Sequence, residues 1–496
     1  MAVQTKFNKY ENDRLVTQKC EQTVLACSID TALKGGADKV LCKRATVSGL
    51  RASATDGQAT ISGKLNVKAV YLTTEGELES ADYISDFSKT VACSDAKEGG
   101  EIFVSARVVD VQAATEGDMI KMQTVVELCP KVVVHEVMDL LEDIEGAFVK
   151  RADCEFTKFV GTTVADCTAD EQYSVGAVVE KVLAFDSSAT VTNVKNDGAG
   201  TLVEGEVCVS VVYRSDGKAV QKNTTIPFVQ KLETGEDVVS LVTAEVKDSK
   251  LTIGGSANDN VFDINVTTEL RALVFSSSSA QLVTDAYCPT KELKLSHLCR
   301  SYDRYANTVR TRERISGSVD TGADGIGISK IVAAFRNENE IASATFDGDG
   351  IVADGVLEVC VVYRDDNEDY KSVCVDLPYS TFLEGVGEGA AIGVYACDVS
   401  AKVKRDSEIE VSATVCAFAD SDETCFIEAV DGAEEGEDVA PCEDAVSIYY
   451  AKQGDTLWNV AKKLGVPPEE IVAQNPSLGE EIAAGENVVV YREVAV

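Results

Sequence analysis

The sequence is poor in the residues on which much metal and triad chemistry depends. It contains two histidines, His135 and His297, and neither lies near a cysteine, serine or acid at a recognisable catalytic spacing. Most histidine-based metal sites and Ser-His-Asp triads are therefore excluded. None of the 16 cysteines forms a Cys-x-x-Cys pair, which argues against zinc-ribbon and thioredoxin-type sites. We expect neither a cofactor nor a bound metal ion.

Positive charge is also scarce. The chain has 46 lysines and arginines against 83 acids, a formal net charge of −37. Binding to nucleic acid or to an anionic membrane surface depends on clustered Lys and Arg, so both classes are excluded. The acidity either keeps the protein soluble, which we favour, or attracts a basic partner. Neither a signal peptide nor an 18-residue apolar run is present, which predicts cytoplasmic residence without membrane insertion.

Many of the cysteines lie in apolar, strand-like segments. Cys208 and Cys360 each lie between two valines, for example. We interpret such cysteines as small buried apolar residues in a reducing compartment. The alternative is later cross-linking, if the protein enters an oxidised assembly.

The chain repeats itself around three tyrosines. Tyr71, Tyr213 and Tyr363 are 142 and 150 residues apart, and each follows an apolar segment by 32 or 33 residues. A turn separates each apolar segment from its tyrosine, and these turns contain Asp56-Gly57, Asp197-Gly198 and Asp347-Gly348. A period of this length predicts a duplicated domain rather than a solenoid unit.

Each copy has the pattern of an all-β domain. Short β-branched runs alternate with Gly and Asp turns, and a hairpin turn follows each tyrosine strand. These hairpin turns are Glu75-Gly76, Asp216-Gly217 and Asp365-Asp366-Asn367. Pro227 and Pro378 each precede an aromatic residue, which suits a sheet edge. The fold class is therefore predicted as mainly β, with three tandem sandwich-like or barrel-like repeats.

The predicted domain boundaries follow from residue spacing and composition between the copies. Two connecting segments, 136–144 and 292–304, have helical spacing. Residues 420–444 contain 11 acids and no bases, which predicts an extended, self-repelling linker. The predicted parts are β repeats at 1–136, 145–287 and 296–419, an acidic linker at 420–445 and a C-terminal module at 446–496.

The C-terminal module has the pattern of a small β-α-α-β unit. Residues 448–452 favour a strand, and Asp455 suits the N-cap of a helix with apolar positions at helical spacing. Gly465 suits the end of that helix, and Pro468 suits the start of a second one. The segment Gly454-Asp455-Thr456-Leu457-Trp458 and the elements after it resemble a LysM module.

The LysM resemblance implies a shallow groove that binds N-acetylglucosamine polymers between two loops. The implied groove residues are Gly454, Asp455, Thr456, Leu457, Asn475, Pro476, Ser477, Leu478 and Ile482. The local requirements of turns and helix caps also explain why Gly454, Asp455 and Asn475 occur at these positions. For Trp458 we favour packing in the core over stacking on a sugar. Residues 448–496 contain seven acids against four bases, so an acidic wall glycan would attract the module weakly. A protein partner is therefore retained as an alternative to the glycan.

Tandem β repeats followed by LysM resemble the SipL-type spore-coat morphogenetic proteins, whose repeats are SPOCS domains (DUF3794). The segments Val211-Val212-Tyr213-Arg214 and Val361-Val362-Tyr363-Arg364 carry this resemblance, together with the Pro-aromatic steps. The first copy departs from it, because Leu72 follows Tyr71 and no matching proline is present.

The resemblance implies a non-enzymatic scaffold in the mother-cell cytoplasm, at the forespore surface. LysM would contact the coat basement-layer protein, a SpoIVA-like ATPase, or a glycan, and the repeats would add docking sites. The main alternative is a cell-wall-associated LysM protein that binds peptidoglycan through N-acetylglucosamine. An enzyme is disfavoured because no carboxylate pair or Cys/His arrangement recurs across the copies.

Overall fold

The computed structural model describes residues 4–235, 238–256, 259–322, 326–388, 390, 392–440 and 444–492. Within these residues the chain is mainly β, with two short α-helices near the C-terminus. The predicted fold class, three all-β repeats followed by a βααβ module, is confirmed.

The first copy is a sandwich of two antiparallel sheets. Its strands are β1 (Thr5–Thr17), β2 (Glu21–Asp30), β3 (Ala37–Thr55), β4 (Gln58–Thr73), β5 (Leu78–Ala92), β6 (Ile102–Glu116) and β7 (Met119–Ile144). One sheet, the meander sheet, has the order β3-β4-β5. In the other, the long-strand sheet, β1, β2 and β6 all pair with β7. Apolar side chains of both sheets form one core between them.

The second and third copies repeat this topology. The second contains β8 (Phe148–Ser174), β9 (Lys181–Asn196), β10 (Thr201–Ser215), β11 (Lys218–Leu232), β12 (Val238–Ser256) and β13 (Asp259–Tyr287). The third contains β14 (Lys291–Asp320), β15 (Ile328–Phe346), β16 (Gly350–Asp365), β17 (Tyr370–Glu384), β18 (Ile392–Arg405) and β19 (Glu408–Asp438). Their meander sheets are β9-β10-β11 and β15-β16-β17, and their long-strand sheets are β8-β13-β12 and β14-β19-β18.

The three marker tyrosines occupy equivalent places. Tyr71, Tyr213 and Tyr363 lie in β4, β10 and β16, the central strands of the meander sheets, and all three are buried. The predicted Asp-Gly turns and hairpin turns join the meander strands, as expected. Pro227 and Pro378 lie on the edge strands β11 and β17, where a residue without an N–H costs no ladder hydrogen bond.

A glycine–aromatic pair recurs across the meander sheets. Gly63 lies opposite Phe87, Gly205 opposite Phe228, and Gly355 opposite Tyr379. Each glycine lies eight residues before the tyrosine of its copy. In the first copy, Asp86 stands where the other two copies have proline, so the aromatic step is present there without its proline.

The three copies pack against one another through equivalent positions. Val70, Val212 and Val362, which immediately precede the three tyrosines, lie in one buried cluster built from all three meander sheets. A second cluster joins the long strands, with Leu140 from β7, Leu282 from β13 and residues of β19. Equivalent positions of the three copies therefore meet in shared cores.

Aromatic rings reinforce the second cluster. Tyr10 stacks on Phe156 at 5.4 Å between ring centroids, and Phe156 lies 5.5 Å from Tyr302. These rings come from the first strand of each copy, so one aromatic row crosses the boundaries between all three copies.

The two connectors predicted as helices are strands. Residues 136–144 end β7, and residues 292–304 lie in β14. In β7, Met138 and Leu140 face one cluster, whereas Leu141 and Ile144 face another. A bulge opposite Lys6 and Phe7 shifts the strand register at this point. It breaks the alternation of side chains, and the resulting spacing imitates a helix.

The predicted acidic linker is largely strand as well. Residues 420–438 belong to β19 and pair with β14, so the third copy extends beyond the predicted boundaries of 296 and 419. Bases on other strands face these acids: Arg304 pairs with Glu423 at 2.8 Å, and Lys291 with Glu435 at 2.7 Å. The linker interpretation therefore fails for 420–438, and residues 441–443 lie outside the described residues.

The burial of the cysteines agrees in part with the prediction that they are small buried apolar residues. Many described cysteines are buried, but Cys299 and Cys374 are exposed. Cys20 and Cys129 form a disulfide within the first copy, whereas a reducing compartment was the favoured interpretation. None of the helices in the described residues has the length and apolarity needed to cross a membrane.

Candidate functional site

The C-terminal module has the predicted βααβ order. Its elements are β20 (Val446–Tyr450), α1 (Leu457–Leu464), α2 (Pro468–Gln474) and β21 (Asn487–Tyr491). The two strands pair antiparallel, and Val460, Ile471 and Val488 lie in the small core between strands and helices.

The helix caps differ from the prediction at one position. Thr456, rather than Asp455, is the N-cap of α1, and its Oγ1 accepts a hydrogen bond from the Asn459 N–H at 3.3 Å. Gly465 ends this helix in the left-handed conformation, with φ of 65°, as predicted. Pro468 begins α2, also as predicted.

Asp455 binds the first loop of the module together. Its Oδ2 accepts hydrogen bonds from the Lys452 N–H and the Tyr449 hydroxyl, both at 2.8 Å, and Lys463 Nζ lies 2.9 Å from Oδ1. The Lys452 N–H, followed by Lys463 and Tyr449, lowers the pKa of Asp455 to about 2. This carboxylate is occupied by its own module.

The two loops predicted to border the groove are joined by main-chain hydrogen bonds. The Leu457 N–H donates to the Glu480 carbonyl at 2.8 Å, and the Ile482 N–H donates to the Asp455 carbonyl at 3.1 Å. Thr456 and Glu481 form a β-bridge between them. The structure therefore brings the predicted residues 455–457 together with Ile482.

Asn475 is used to hold the second loop. Its Nδ2 donates to the carbonyl of Val489 at 2.7 Å, and its Oδ1 accepts from the Val489 N–H at 2.9 Å. A further bond from Nδ2 reaches the Ile471 carbonyl at 2.9 Å. The side-chain amide of Asn475 fixes the end of α2 against β21.

Exposure divides the nine predicted groove residues. Gly454, Pro476 and Ser477 are exposed; Thr456, Leu457, Asn475 and Leu478 are half-buried; Asp455 and Ile482 are buried. Leu457, Leu478 and Ile482 contribute to one apolar cluster. The arrangement therefore offers an apolar base with exposed small and polar residues beside it, and the ligand of all nine positions stays a prediction.

Two exposed acids that were not singled out from the sequence adjoin the groove. Glu480 and Glu481 lie in the strand-like segment that pairs with residues 455–457. The number of acids in the module predicted its negative charge, but it did not predict that Glu480 and Glu481 lie beside the groove. Their carboxylates make this border negative and therefore more suited to a basic partner than to an anionic one.

Helix α1 is docked on the second copy. Trp458 Nε1 donates to Asp285 Oδ2 at 2.8 Å, and Lys462 Nζ lies 2.6 Å from Asp285 Oδ1. Burial disfavours the charge of Asp285, but bonds from Lys462 and Trp458 outweigh it and lower the pKa of Asp285. Trp458 therefore packs within the protein, as favoured from the sequence, although its partners lie in another copy.

Tyr287 completes this contact. Its hydroxyl donates to the Val466 carbonyl at 2.7 Å, and its ring meets Trp458 edge-on at 5.1 Å. No sequence signal identified Tyr287 or Asp285, because each lies more than 170 residues from its partner in the module. Tyr287 lies in the same apolar cluster as Leu457, Leu478 and Ile482 of the predicted groove.

Comparison with known families gives two matches. Residues 37–116 match the model described as "SipL, SPOCS domain", and residues 449–484 match the LysM domain. The pair matches a SipL-type protein with a C-terminal LysM domain. No curated protein and no solved structure matched the chain.

The SPOCS match falls on the first copy, where we expected the resemblance to be weaker. It spans β3 to β6, which comprise the meander sheet and one strand of the long-strand sheet. The same strand order recurs in the second and third copies. The shared topology and the recurring glycine–aromatic pair support a tandem β-repeat architecture.

Two groups of described residues could each offer three ligand atoms to a metal ion. One contains Cys20, Cys129 and Glu127, but its two cysteines form the disulfide. The other contains Glu206, Cys208 and Cys397, at the boundary between the second and third copies. Neither group is near the LysM groove.

Proposed function

We propose that the protein is a non-enzymatic scaffold in endospore coat assembly. It docks through its LysM module and its β repeats to a coat basement-layer protein at the forespore surface. The observation that carries the proposal is the presence of a SPOCS match and a LysM match in one chain. Both are non-catalytic binding domains, and together they support a spore-associated, LysM-containing protein.

The proposed partner is a SpoIVA-like ATPase in the mother-cell cytoplasm. The acidic border of the groove, Glu480 and Glu481, supports a protein partner with a basic face over an acidic wall glycan. The charge of the whole chain, −37, acts in the same direction. The shared cores of the three copies support a rigid body that holds the module at a fixed place.

Localisation tests the proposal most directly. A fluorescent fusion of the full chain should encircle the developing forespore, and deletion of residues 446–496 should disperse it. A diffuse signal from the intact fusion would refute the forespore scaffold.

A matched pair of substitutions places the contact on the module. Ser477→Arg adds a long side chain in the proposed groove, whereas Ala473→Arg adds the same side chain at an exposed position of α2. We expect Ser477→Arg alone to reduce binding to the purified basement-layer ATPase. Equal effects of the two variants would contradict the groove as the contact surface.

The second candidate is peptidoglycan binding through N-acetylglucosamine, which the LysM match favours. The apolar base formed by Leu457, Leu478 and Ile482 would cover sugar faces, and short polar groups would bind the acetamido and hydroxyl groups. Retention on purified peptidoglycan that disappears on deletion of residues 446–496 would favour this function over the scaffold.

Salt and turnover separate the remaining possibilities. A basic protein partner should bind more weakly at high salt and to the double variant Glu480→Gln/Glu481→Gln, since both reduce charge attraction. Binding to an uncharged N-acetylglucosamine oligomer should change little.

Turnover of peptidoglycan by the purified protein would contradict the proposal that it is not an enzyme.

A further inference from the structure

Three cysteines meet where the second copy packs against the third. Cys208 lies on β10, Cys397 on β18 and Cys416 on β19. The sulfur atoms of Cys208 and Cys397 and a carboxylate oxygen of Glu206 all lie within 4.8 Å of one another. Cys397 also interacts with Cys416 through a side-chain hydrogen bond. Cys397 is therefore the centre of the cluster, with one neighbour in each of two copies.

Two guanidinium groups face the same cysteine. Arg312 Nη2 lies 3.8 Å from the sulfur of Cys397 and also contacts Asp398 at 3.3 Å. Arg312 Nη1 pairs with Glu206 at 2.9 Å, so this one guanidinium is shared between two acids and the sulfur of Cys397. The positive charge of Arg336 acts on Cys397 as well.

Arg336 gives a reason for a negative charge on sulfur. It donates to the Ala396 carbonyl, and no described carboxylate lies within ion-pair distance of it. Burial lowers the pKa of Arg336, whereas Cys208 and Cys397 favour its charged form. A partly buried cation without a carboxylate partner favours a thiolate beside it.

The acidities within the cluster agree with that geometry. Hydrogen bonds from Cys208 and Cys416, followed by the charges of Arg312 and Arg336, lower the pKa of Cys397. The hydrogen bonds to Cys397 raise the pKa of Cys208 and of Cys416. These shifts favour a thiolate at Cys397 over one at Cys208 or Cys416.

The cluster borders a small cleft. Cys208, Cys397 and Arg336 line a cavity of about 60 Å³. One water molecule occupies about 30 Å³ in the liquid, so a small oxidant fits.

We propose that Cys397 and Cys208 form an oxidation site at which a hydroperoxide joins the second copy covalently to the third. The Cys397 thiolate attacks one peroxide oxygen and breaks the O–O bond, which gives a sulfenic acid at Cys397 and releases hydroxide. The Cys208 thiol then forms the S–S bond, and the sulfenic oxygen leaves as water. The peroxide is reduced, and the two cysteines are oxidised to a disulfide.

A second cysteine cluster provides an internal control. Cys42 of the first copy lies against Cys360 of the third, and Cys360 is paired across the sheet with Cys374. A hydrogen bond to Cys374 lowers the pKa of Cys360, but the bond with Cys42 and burial outweigh it, so the pKa of Cys360 is raised. The pKa of Cys374 is raised as well, first by its bond with Cys360. The shifts therefore oppose a thiolate at Cys360 and at Cys374.

The test uses the reduced full-length chain and limiting hydrogen peroxide. Remaining thiols are alkylated, and disulfide-linked peptides are mapped by mass spectrometry without reductant. We expect the peptide pair containing Cys208 and Cys397 to form at least about tenfold faster than any pair within the second cluster, because rate follows the thiolate fraction. Comparable rates at the two clusters, or a predominant link between Cys397 and Cys416, would overturn the proposal.

Variants separate the two neighbours of Cys397. Cys416→Ser should retain the link, whereas Cys208→Ser should abolish it and leave a sulfenic acid at Cys397 that dimedone traps. Cys299→Ser, which removes an exposed thiol on β14, is the matched control and should change nothing. Loss of the link in Cys416→Ser would contradict the assignment, provided that circular dichroism shows a folded chain.

Metal analysis of the purified, reduced chain completes the test. One equivalent of bound zinc that protects all three cysteines from peroxide would assign the cluster as a metal site and overturn the oxidation site. Absence of zinc, together with rapid formation of the link, supports the proposal. The result does not depend on the function proposed above, because it is read from the purified chain alone.

Discussion

At the residue scale, Asp455 shows how a local pattern can place a helix N-cap one residue away from its true position. The LysM resemblance implied a groove position, and local pattern suggested a helix N-cap. In the structure its carboxylate ties Lys452, Tyr449 and Lys463 together, and Thr456 caps the helix. Sequence spacing placed the residue, but it could not show which donors would surround it.

Replacing Asp455 by Asn should destabilise the module in a pH-dependent way. The carboxylate has a pKa of about 2 in the folded chain, below its ordinary value near 4. Its stabilisation is therefore complete above the ordinary value and is lost as the pH falls through about 2. Unfolding followed by the fluorescence of Trp458, the chain's single tryptophan, should show a large difference between wild type and variant at pH 7. That difference should vanish near pH 2.

The control for this variant is Glu469→Gln, which removes an exposed acid from the first turn of α2. It should leave the unfolding midpoint nearly unchanged. A pH-independent loss in Asp455→Asn would indicate that shape, rather than charge, is what the module requires at this position.

Gly205 is a second residue whose role the sequence analysis did not identify. A Cβ at this position would lie 2.1 Å from the Phe228 ring and 2.4 Å from the Thr190 carbonyl oxygen. Because the carbonyl belongs to the neighbouring strand, it cannot swing aside. Gly205→Ala should therefore lower the free energy of unfolding by about 1–3 kcal/mol, measured by urea denaturation.

Gly387→Ala is the matched control, since its nearest neighbour would lie 3.6 Å away. Similar losses in both variants would argue against the glycine–aromatic pair as the cause. The recurrence of glycine eight residues before each tyrosine was available in the sequence and could have revealed this pair.

At the element scale, turns and edges were predictable because their causes are local. Gly and Asp at the predicted turns, and proline on the strands β11 and β17, need no knowledge of distant residues. The segments at 136–144 and 420–438 were mispredicted for non-local reasons. A bulge set by β1 changed the apparent period of the first, and bases on β14 neutralised acids of the second.

Proteolysis distinguishes the strand from the predicted linker. A Glu-specific protease should leave residues 423–437 uncut in the native chain, because their backbone is paired with β14. Fragments would be sized by mass spectrometry. The same protease should cut this segment once urea unfolds the chain. Rapid native cleavage after Glu428 or Glu434 would restore the linker interpretation.

At the scale of the whole molecule, the packing of the three copies against one another was not predicted, although the sequence contains one sign of it. Val359 to Tyr363 are five consecutive apolar residues of β16, and all are buried. Consecutive burial requires both faces of the strand to be covered. The pattern implies a second covering layer, but it cannot identify the residues of the other two copies that form it, since these lie more than 100 residues away.

The attachment of LysM to the second copy is testable through its tryptophan. Asp285→Ala removes the acceptor of Trp458 and Lys462, so the Trp458 emission should shift to longer wavelength as the indole gains water. In the wild type the same shift should appear on acidification, because the lowered pKa of Asp285 means that docking is strongest when it is ionised. Asp263→Ala, on the same strand and away from the module, should leave the emission unchanged.

Unaltered emission in Asp285→Ala would show that the aromatic contact with Tyr287 suffices to hold the module. A lost signal in both aspartate variants would point instead to general destabilisation of β13. Circular dichroism separates these two outcomes.

Joining three pseudo-equivalent copies in one polypeptide has a consequence for valency. A trimer assembled from separate chains would dissociate on dilution and would display three LysM modules, with the avidity that multiple heads confer. Here association is intramolecular, so the assembly persists at any concentration, and the described residues contain one LysM module for three copies. Three copies therefore share one LysM contact, and a dense layer of such units would require additional lateral contacts made by the β surfaces.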